Sequence, residues 1–319
     1  MDNKLLAGAK VIIHSWLKIQ PGEKFMIIHD DAYLPEAEAL SHYASPITSQ
    51  IKLVNFDQLP DLNHHLIGIF GKADAAVGLT DYSLLTTNAV VKAVANGMRY
   101  LSIPPITLDG RSIFAYDFIQ EDLVWARTLG HQILDIAEKT DNIHVTTAAG
   151  TDLTFRYHNR KPGIMSGVTD HSGAVGSASF EFYIPIEEDQ TAGTLILDGA
   201  MGQLGHLSQP LKLTYQNGKI TSIDNDLEGE RMRAYIDSFN DQRTLHASEF
   251  GIGLNRLAHC LGRCYIEDES ALSTCHIGHG RNLTLGGVLD AEGHYDLVML
   301  KPTIRFGSRT VMVDGTLTL

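Results

Sequence analysis

Residues 24–31 read KFMIIHDD, an apolar run closed by His29, Asp30 and Asp31, and they decide the fold of the first half of the chain. A short apolar run bounded by turn residues suits a buried strand. Before it, residues 5–19 carry apolar side chains at helical spacing until Pro21-Gly22 stops them. After it, helical period returns over residues 34–44, and residues 51–55 (IKLVN) read as a second strand. Residues 75–78 read as a third strand and residues 86–95 as a helix stopped by Asn96-Gly97. Residues 98–103 then extend into Pro104-Pro105, and residues 121–139 form the longest helical stretch. This βαβα rhythm predicts an α/β domain with a parallel sheet over residues 1–141. No glycine-rich loop follows any of these strands, so neither a dinucleotide-binding nor a P-loop signature is present.

The texture changes near residue 142. Short strand-like runs at 143–147, 152–157, 179–184, 194–198, 211–215 and 219–223 alternate with Ala149-Gly150, Asp198-Gly199 and Asn217-Gly218. Asn-Gly between LKLTYQ and KITSI is a strong hairpin signal. Helices are expected at 230–239 and near 256–261. The second half, 142–319, is therefore expected to be a β-rich α+β domain that binds metal.

Composition narrows the function. Of 319 residues, 44% are hydrophobic and 20% charged, which is ordinary for a globular chain. The net charge of −13 argues against nucleic acid and against anionic membrane surfaces as partners. No run of about 18 apolar residues suggests a membrane span, and the opening residues lack the pattern of a signal peptide. Cys260, Cys264 and Cys275 are an odd number, too few for a disulfide framework, so reduced thiols in the cytoplasm are expected.

The chemistry concentrates in the second half. Glu181 (SFEFYIP), Glu249 (ASEFGIGLN), His276 (STCHIGHG), and His294 with Asp296 (GHYDLV) lie in glycine-rich surroundings. Imidazole nitrogen and carboxylate oxygen suit Zn²⁺, Mn²⁺ or Fe²⁺. In an extended segment His294 and Asp296 share a face while Tyr295 points away. His279 stands beside His276 and is an expected catalytic or structural neighbour. Each element has a plainer reading: a solvent-facing strand glutamate for Glu181, a hydrogen-bonded pair for His294 and Asp296, inert packing for the cysteines.

The blocks EFGIGLN, IEDESALSTCHIGHGRNLTLGG, GHYDLVMLKPTI and VMVDG, with FEFYIPIEEDQTAGTLILDG upstream, resemble the thermophilic metallopeptidases of the aminopeptidase T and S type. The resemblance covers roughly the last 140 residues, as several separated blocks in order, and is looser before residue 140. It implies a two-domain exopeptidase with two Zn, Mn or Co ions held by Glu181, Glu249, His276, His294 and Asp296. It also implies a homodimer and a peptide or small-molecule amide substrate attacked by metal-activated water, with Glu249 or Glu181 as base. In one respect the chain departs from this pattern. Those peptidases carry a tyrosine seven residues after the position of His276, where this chain has Leu283, with Tyr183 and Tyr295 as the possible substitutes.

A second resemblance runs through EGERMRAYIDSFNDQRTLHASEFGIGLN, to the 2,5-dihydroxypyridine 5,6-dioxygenases. It implies one Fe(II) and ring opening by O₂. Their triad is two histidines and a carboxylate; here Glu249 stands where one histidine would, His294 and Asp296 match the others, and His276 is additional. The metallopeptidase-type hydrolase is the leading expectation, the Fe(II) dioxygenase the alternative, and a non-enzymatic binding protein on the same fold the third.

Overall fold

The structure, a computed structural model, describes residues 2–59, 62–81 and 83–319. It divides into two compact units, residues 1–121 with 165–179, and residues 122–164 with 180–319.

The first unit opens with α1 (Asn3–Val11), capped by Asp2, whose side chain accepts from the Lys4 N–H. A wider-wound stretch, Ile12–Leu17, continues it until Lys18 turns left-handed at φ +46°. Strands β1 (Phe25–His29), β2 (Ile51–Asn55), β3 (Ala75–Leu79) and β4 (Arg99–Ser102) pair in parallel, in the order β2-β1-β3-β4. The connecting helices are α2 (Leu34–Ala44), α3 (Leu62–Phe70) and α4 (Asn88–Ala95). All five residues of β1 and all five of β3 are buried, the continuous apolar pattern of strands covered on both faces. At the outer position, β2 buries only Val54. Met26, Ile28, Phe70, Ala76, Val90 and Tyr100 share one core cluster. Gly78 is required there, because a Cβ would lie 2.2 Å from the Tyr100 hydroxyl. The parallel sheet expected from KFMIIH is present, and α3 is an element that sequence reading did not identify.

Helix α5 (Leu123–Ala137) begins the second unit, its first N–H groups capped by Asp122. It leads into β5 (Asn142–Thr146), β6 (Asp152–Arg156) and β7 (Gly163–Ser166). The chain then returns to the first unit as β8 (Val175–Ser177), which adds in parallel to β4. A single boundary at residue 141 misses both facts. Packing assigns the 123–137 helix to the second unit, and a strand distant in sequence completes the first sheet.

The remaining strands are β9 (Phe180–Pro185), β10 (Ala192–Leu197), β11 (Leu211–Gln216), β12 (Lys219–Ile223) and β13 (Ala247–Gly253). They are followed by β14 (Thr274–Gly280), β15 (His294–Leu300), β16 (Thr303–Phe306), β17 (Arg309–Val313) and β18 (Thr316–Leu317). An eight-stranded antiparallel sheet runs β12-β11-β10-β6-β5-β16-β17-β18, and a five-stranded sheet runs β15-β14-β13-β9-β7. Asn217 (φ +50°) and Gly218 (φ +77°) make the tight turn between β11 and β12. The two sheets meet through aromatic side chains, Phe155 against Phe250 at 5.4 Å and Phe182 against Phe306 at 5.8 Å.

Two helices accompany them, α6 (Leu227–Ser238), which contains most of the expected 230–239 segment, and the short α7 (Tyr265–Ser270). The helix expected near 256–261 is absent, and α7 forms just after it. Asn255 Oδ1 accepts from the backbone N–H groups of Leu257 and Ala258 and holds that segment as a turn. Cys260 and Cys264 therefore share no helix face. Among the described residues no helix is long and apolar enough to cross a membrane.

Candidate metal centre

Strand alternation builds the centre on one face of the five-stranded sheet. Register pairs Glu181 with Gly253, Tyr183 with Gly251, Glu249 with Gly278 and Gly251 with His276. It also pairs Gly278 with Asp296 and Gly280 with His294. Residues directly opposite on antiparallel strands share a face, so Glu181, Glu249, His276, His294 and Asp296 converge there. The other face carries Phe182, Phe250, Ile252, Ile277 and Leu297 into the core. One sheet thus separates an apolar side from a charged side.

Glycines supply the room. A Cβ on Gly251 would lie 2.0 Å from His276 Nε2, and one on Gly278 would lie 2.8 Å from Glu249 Cβ and 2.8 Å from His294 Cε1. The run EFGIG and the sequence HIGHG therefore encode cavities between ligands as much as strands. A bulge between Ala247 and Glu249 shifts β13 against β14 at that point. Such irregularities re-aim a side chain beside a site.

Two groups of three side chains each bring ligand atoms within 4.8 Å of one another: Glu181, Glu249 and His276, and Glu249, His294 and Asp296. Glu249 belongs to both. His276 Nε2 lies 2.9 Å from Glu181 Oε2, and His294 Nε2 lies 3.2 Å from Glu249 Oε2 and 3.4 Å from Asp296 Oδ1. The His294 Nδ1 is 2.9 Å from the Arg281 carbonyl and donates to it, which turns Nε2 toward the carboxylates.

Burial shapes the electrostatics. His276 is 1% exposed and Glu249 4%. Burial, reinforced by Glu181 and Asp296, raises the Glu249 carboxyl above its ordinary value, against the pull of His294. Burial alone would lower His276, but the Glu181 carboxylate overrides it and holds the imidazole at about 9. His294 is also raised well above its ordinary value, Asp296 and Glu249 outweighing burial. Burial works against Asp296 as well, yet the His294 charge brings it down to about 2. Protonated imidazoles here supply positive charge that the buried carboxylates require. A divalent cation meets the same requirement with a fixed geometry. The donor set suits it, and buried His276 Nδ1 and Asp296 Oδ1 have no hydrogen-bond partner.

Sequence reading missed Glu269. This α7 residue is buried, side-chain hydrogen-bonded to Asp296, and raised well above its ordinary value by burial and then by Asp296, Glu181 and Glu249. Its signal was the acid run IEDES, which solvation of a charged face explains equally well in sequence. Tyr183, on the ligand face, is pushed up to about 12 by burial and by the Glu249 and Glu181 charges.

Other expectations are corrected. His279 faces the opposite side of β14, where it accepts from the Tyr215 hydroxyl at 2.8 Å and stacks on Tyr295 at 4.9 Å. That places it away from the face that carries the five ligand-type residues. Tyr295 donates to the Thr244 carbonyl and cannot replace the missing tyrosine; Leu283 lies in a turn after β14. Asn282 is consumed by the turn, donating to Glu188 and to the Ser248 carbonyl. His206 bonds the carbonyls of Gly199 and Cys260.

Burial pushes the His279 pKa from 6.5 down to about 3, which predicts an acid-sensitive fold. Between those values the unfolded chain binds the extra proton, so this stability is complete above pH 6.5 and is lost as pH falls toward 3. The slope is about 1.4 kcal/mol per pH unit at most. His279→Gln keeps an acceptor for Tyr215, and its urea midpoint should fall less between pH 7 and pH 4 than that of the parent. Equal falls in both proteins would refute this assignment.

The fold and these side chains define a two-unit α/β protein with a buried carboxylate–imidazole centre able to hold a divalent cation. The chain belongs to the 2,5-dihydroxypyridine 5,6-dioxygenase family (NicX), which matches residues 57–319. It is 25% identical over 199 residues to the 2,5-dihydroxypyridine 5,6-dioxygenase of Pseudomonas putida KT2440, over 56% of this chain and 55% of that protein. That alignment spans about half the length of the relative. Among solved structures, the 2,5-dihydroxypyridine dioxygenase of Pseudomonas putida KT2440 superposes with a TM-score of 0.80 at 17% identity, over 98% of this chain and 96% of the other. AmpT from Thermus thermophilus superposes with a TM-score of 0.68 at 12% identity, over 99% of each chain. Both likenesses speak to the fold. The family match overturns the leading expectation of an aminopeptidase-type hydrolase acting on peptides. Carboxylates and imidazoles on a shared fold serve several chemistries, which is why the ligand motifs favoured the wrong one.

Proposed function

We propose that this protein is a mononuclear Fe(II) dioxygenase that opens a hydroxylated nitrogen-containing aromatic ring. Membership of the dioxygenase family carries the proposal. The grouping of Glu249, His294 and Asp296 supports it as the iron-holding set. Iron, when bound, supplies the redox activation of O₂ that ring opening needs. Here one histidine and two carboxylates stand where the triad of such enzymes has two histidines and one carboxylate.

The roles of the chain's own groups follow from their positions. His294 is oriented by the Arg281 carbonyl. Glu269 meets Asp296 from α7. His276, paired with Glu181 at 2.9 Å, holds a proton beside the iron-holding set and is the acid–base residue. Tyr183 presents a protonated hydroxyl on the same face, suited to donate a hydrogen bond to a ring oxygen.

The test is anaerobic loading with ferrous iron and ascorbate, followed by a panel of dihydroxylated pyridines and benzenes under O₂. Oxygen uptake matched to loss of ring absorbance is expected, for pyridines above benzenes. Iron-replete protein that consumes no O₂ with any of them would overturn the assignment.

A further inference from the structure

We propose that Asn282, clamped by Glu188, is the positioning residue for two members of the iron-holding set, His294 and Glu249. This role rests on the metal set proposed above, and neither Asn282 nor Glu188 is itself a ligand.

Strands β14 and β15 are antiparallel neighbours, yet residues 281–293 separate them, where about two to five residues make a common hairpin loop. Within this loop lies one short 3-10 turn, Leu283–Leu285. Arg281 N–H donates to the Gly293 carbonyl at 2.8 Å and closes the base of the loop. The next peptide group, from Arg281 to Asn282, carries the carbonyl that accepts from His294 Nδ1 at 2.9 Å. Its N–H belongs to Asn282 and donates to the Leu289 carbonyl at 3.2 Å. The plane that aims His294 is therefore fixed at its far end by Asn282.

The Asn282 side chain is fully buried and fully bonded. Its Nδ2 donates to the Ser248 carbonyl and to Glu188 Oε1, each at 2.9 Å, and its Oδ1 accepts from the Leu289 N–H at 2.9 Å. The Ser248 carbonyl belongs to the peptide group that leads into Glu249, at the bulge where β13 changes its pairing with β14. One buried residue thus bonds or forms the peptide groups that adjoin both ligands. Glu188 holds it in place. Its Oε1 also accepts from the Val288 N–H at 3.1 Å, and its Oε2 accepts from the Arg160 guanidinium at 2.6 Å. Arg160 donates in turn to the Gly286 carbonyl at 3.2 Å. The Glu188 side chain is only 14% exposed, so these charge-assisted bonds are sheltered from water. The loop closes tightly on the amide, because a Cβ on Gly287 would lie 2.1 Å from Asn282 Cγ. Groups that orient metal ligands from outside contribute to metal affinity.

The test is Mn²⁺ binding by the intact chain, read by electron paramagnetic resonance, with a thermal melt of each protein. Mn²⁺ accepts nitrogen and oxygen donors and reports affinity without turnover. Glu188→Ala removes the clamp and Gly287→Ala pushes Asn282 aside, and each should weaken Mn²⁺ binding about tenfold or more. Glu188→Gln keeps an oxygen for Asn282 and Val288 and should bind as the parent does. Val77→Ala, buried in the first unit, should melt lower with parental affinity, which separates positioning from a general loss of stability. Parental affinity in Glu188→Ala, or in Gly287→Ala where Glu188→Ala does not fold, would overturn the role. An equal loss in Glu188→Gln or in Val77→Ala would overturn it as well. A parent that binds no Mn²⁺ would overturn the iron-holding set itself, and the role with it.

Discussion

Glu249→Ala is expected to strip the protein of its catalytic metal and abolish turnover, while leaving the metal-free chain at least as stable as the parent. Glu249 is the one side chain common to both three-ligand groups. Loss of an outer partner of a metal ligand weakens affinity about 10- to 100-fold, so loss of this shared ligand should exceed that range. The metal-free stability moves the other way for an electrostatic reason. Glu181, Glu249, Glu269 and Asp296 are all buried on or beside one sheet face. Burial and the charges of Glu181 and Asp296 already disfavour ionised Glu249, so removing it relieves repulsion that only a cation or protonated histidines offset. Elemental analysis and paired melts with and without metal check both halves. Parental metal content in the variant would show that Glu249 is not a ligand.

Gly251→Ala should have nearly as large an effect on activity by a steric route. The new Cβ would lie 2.0 Å from His276 Nε2 and 2.1 Å from Cε1, against a ring that is 1% exposed. Either the ring rotates away from Glu181 or β13 and β14 separate. Overpacking of this kind costs about 1–3 kcal/mol, and the ring displacement should remove most activity even where the fold survives. Gly68→Ala is the matched control, with nothing within 4 Å of the added atom. On a helix, that change should be neutral or stabilising by up to about 1 kcal/mol. A fully active Gly251→Ala enzyme would mean that the His276 ring is mobile or dispensable.

How much of this was legible in sequence depended on the range of the interaction involved. KFMIIH announces a buried parallel strand because its burial is written in consecutive residues. Asn217-Gly218 announces its turn because two positive φ values demand those residue types. His294 and Asp296 were legible as partners because strand period alone puts them on one face. His279 was not, since only pairing with β15 and contact with Tyr215 show which side it faces. The same limit hid Glu269, whose meaning lies in Asp296, 27 positions away in sequence. The return of residues 165–179 to the first unit is a long-range pairing of three-residue β8, too short to carry a periodic signal. The chemistry was the hardest part. Five ligand-type residues mark a cation site, but the choice between hydrolysis and oxygenation lies in what surrounds them.

The bulge ahead of Glu249 makes β13 a jointed strand. Upstream of it β13 runs in one phase against β14, with Ala247 opposite His279, and downstream it runs in another, with Glu249 opposite Gly278. The face on which Glu249 stands is therefore set by the pairing downstream of the bulge alone, and the chain before Ser248 can pack in its own phase without turning the ligands behind it.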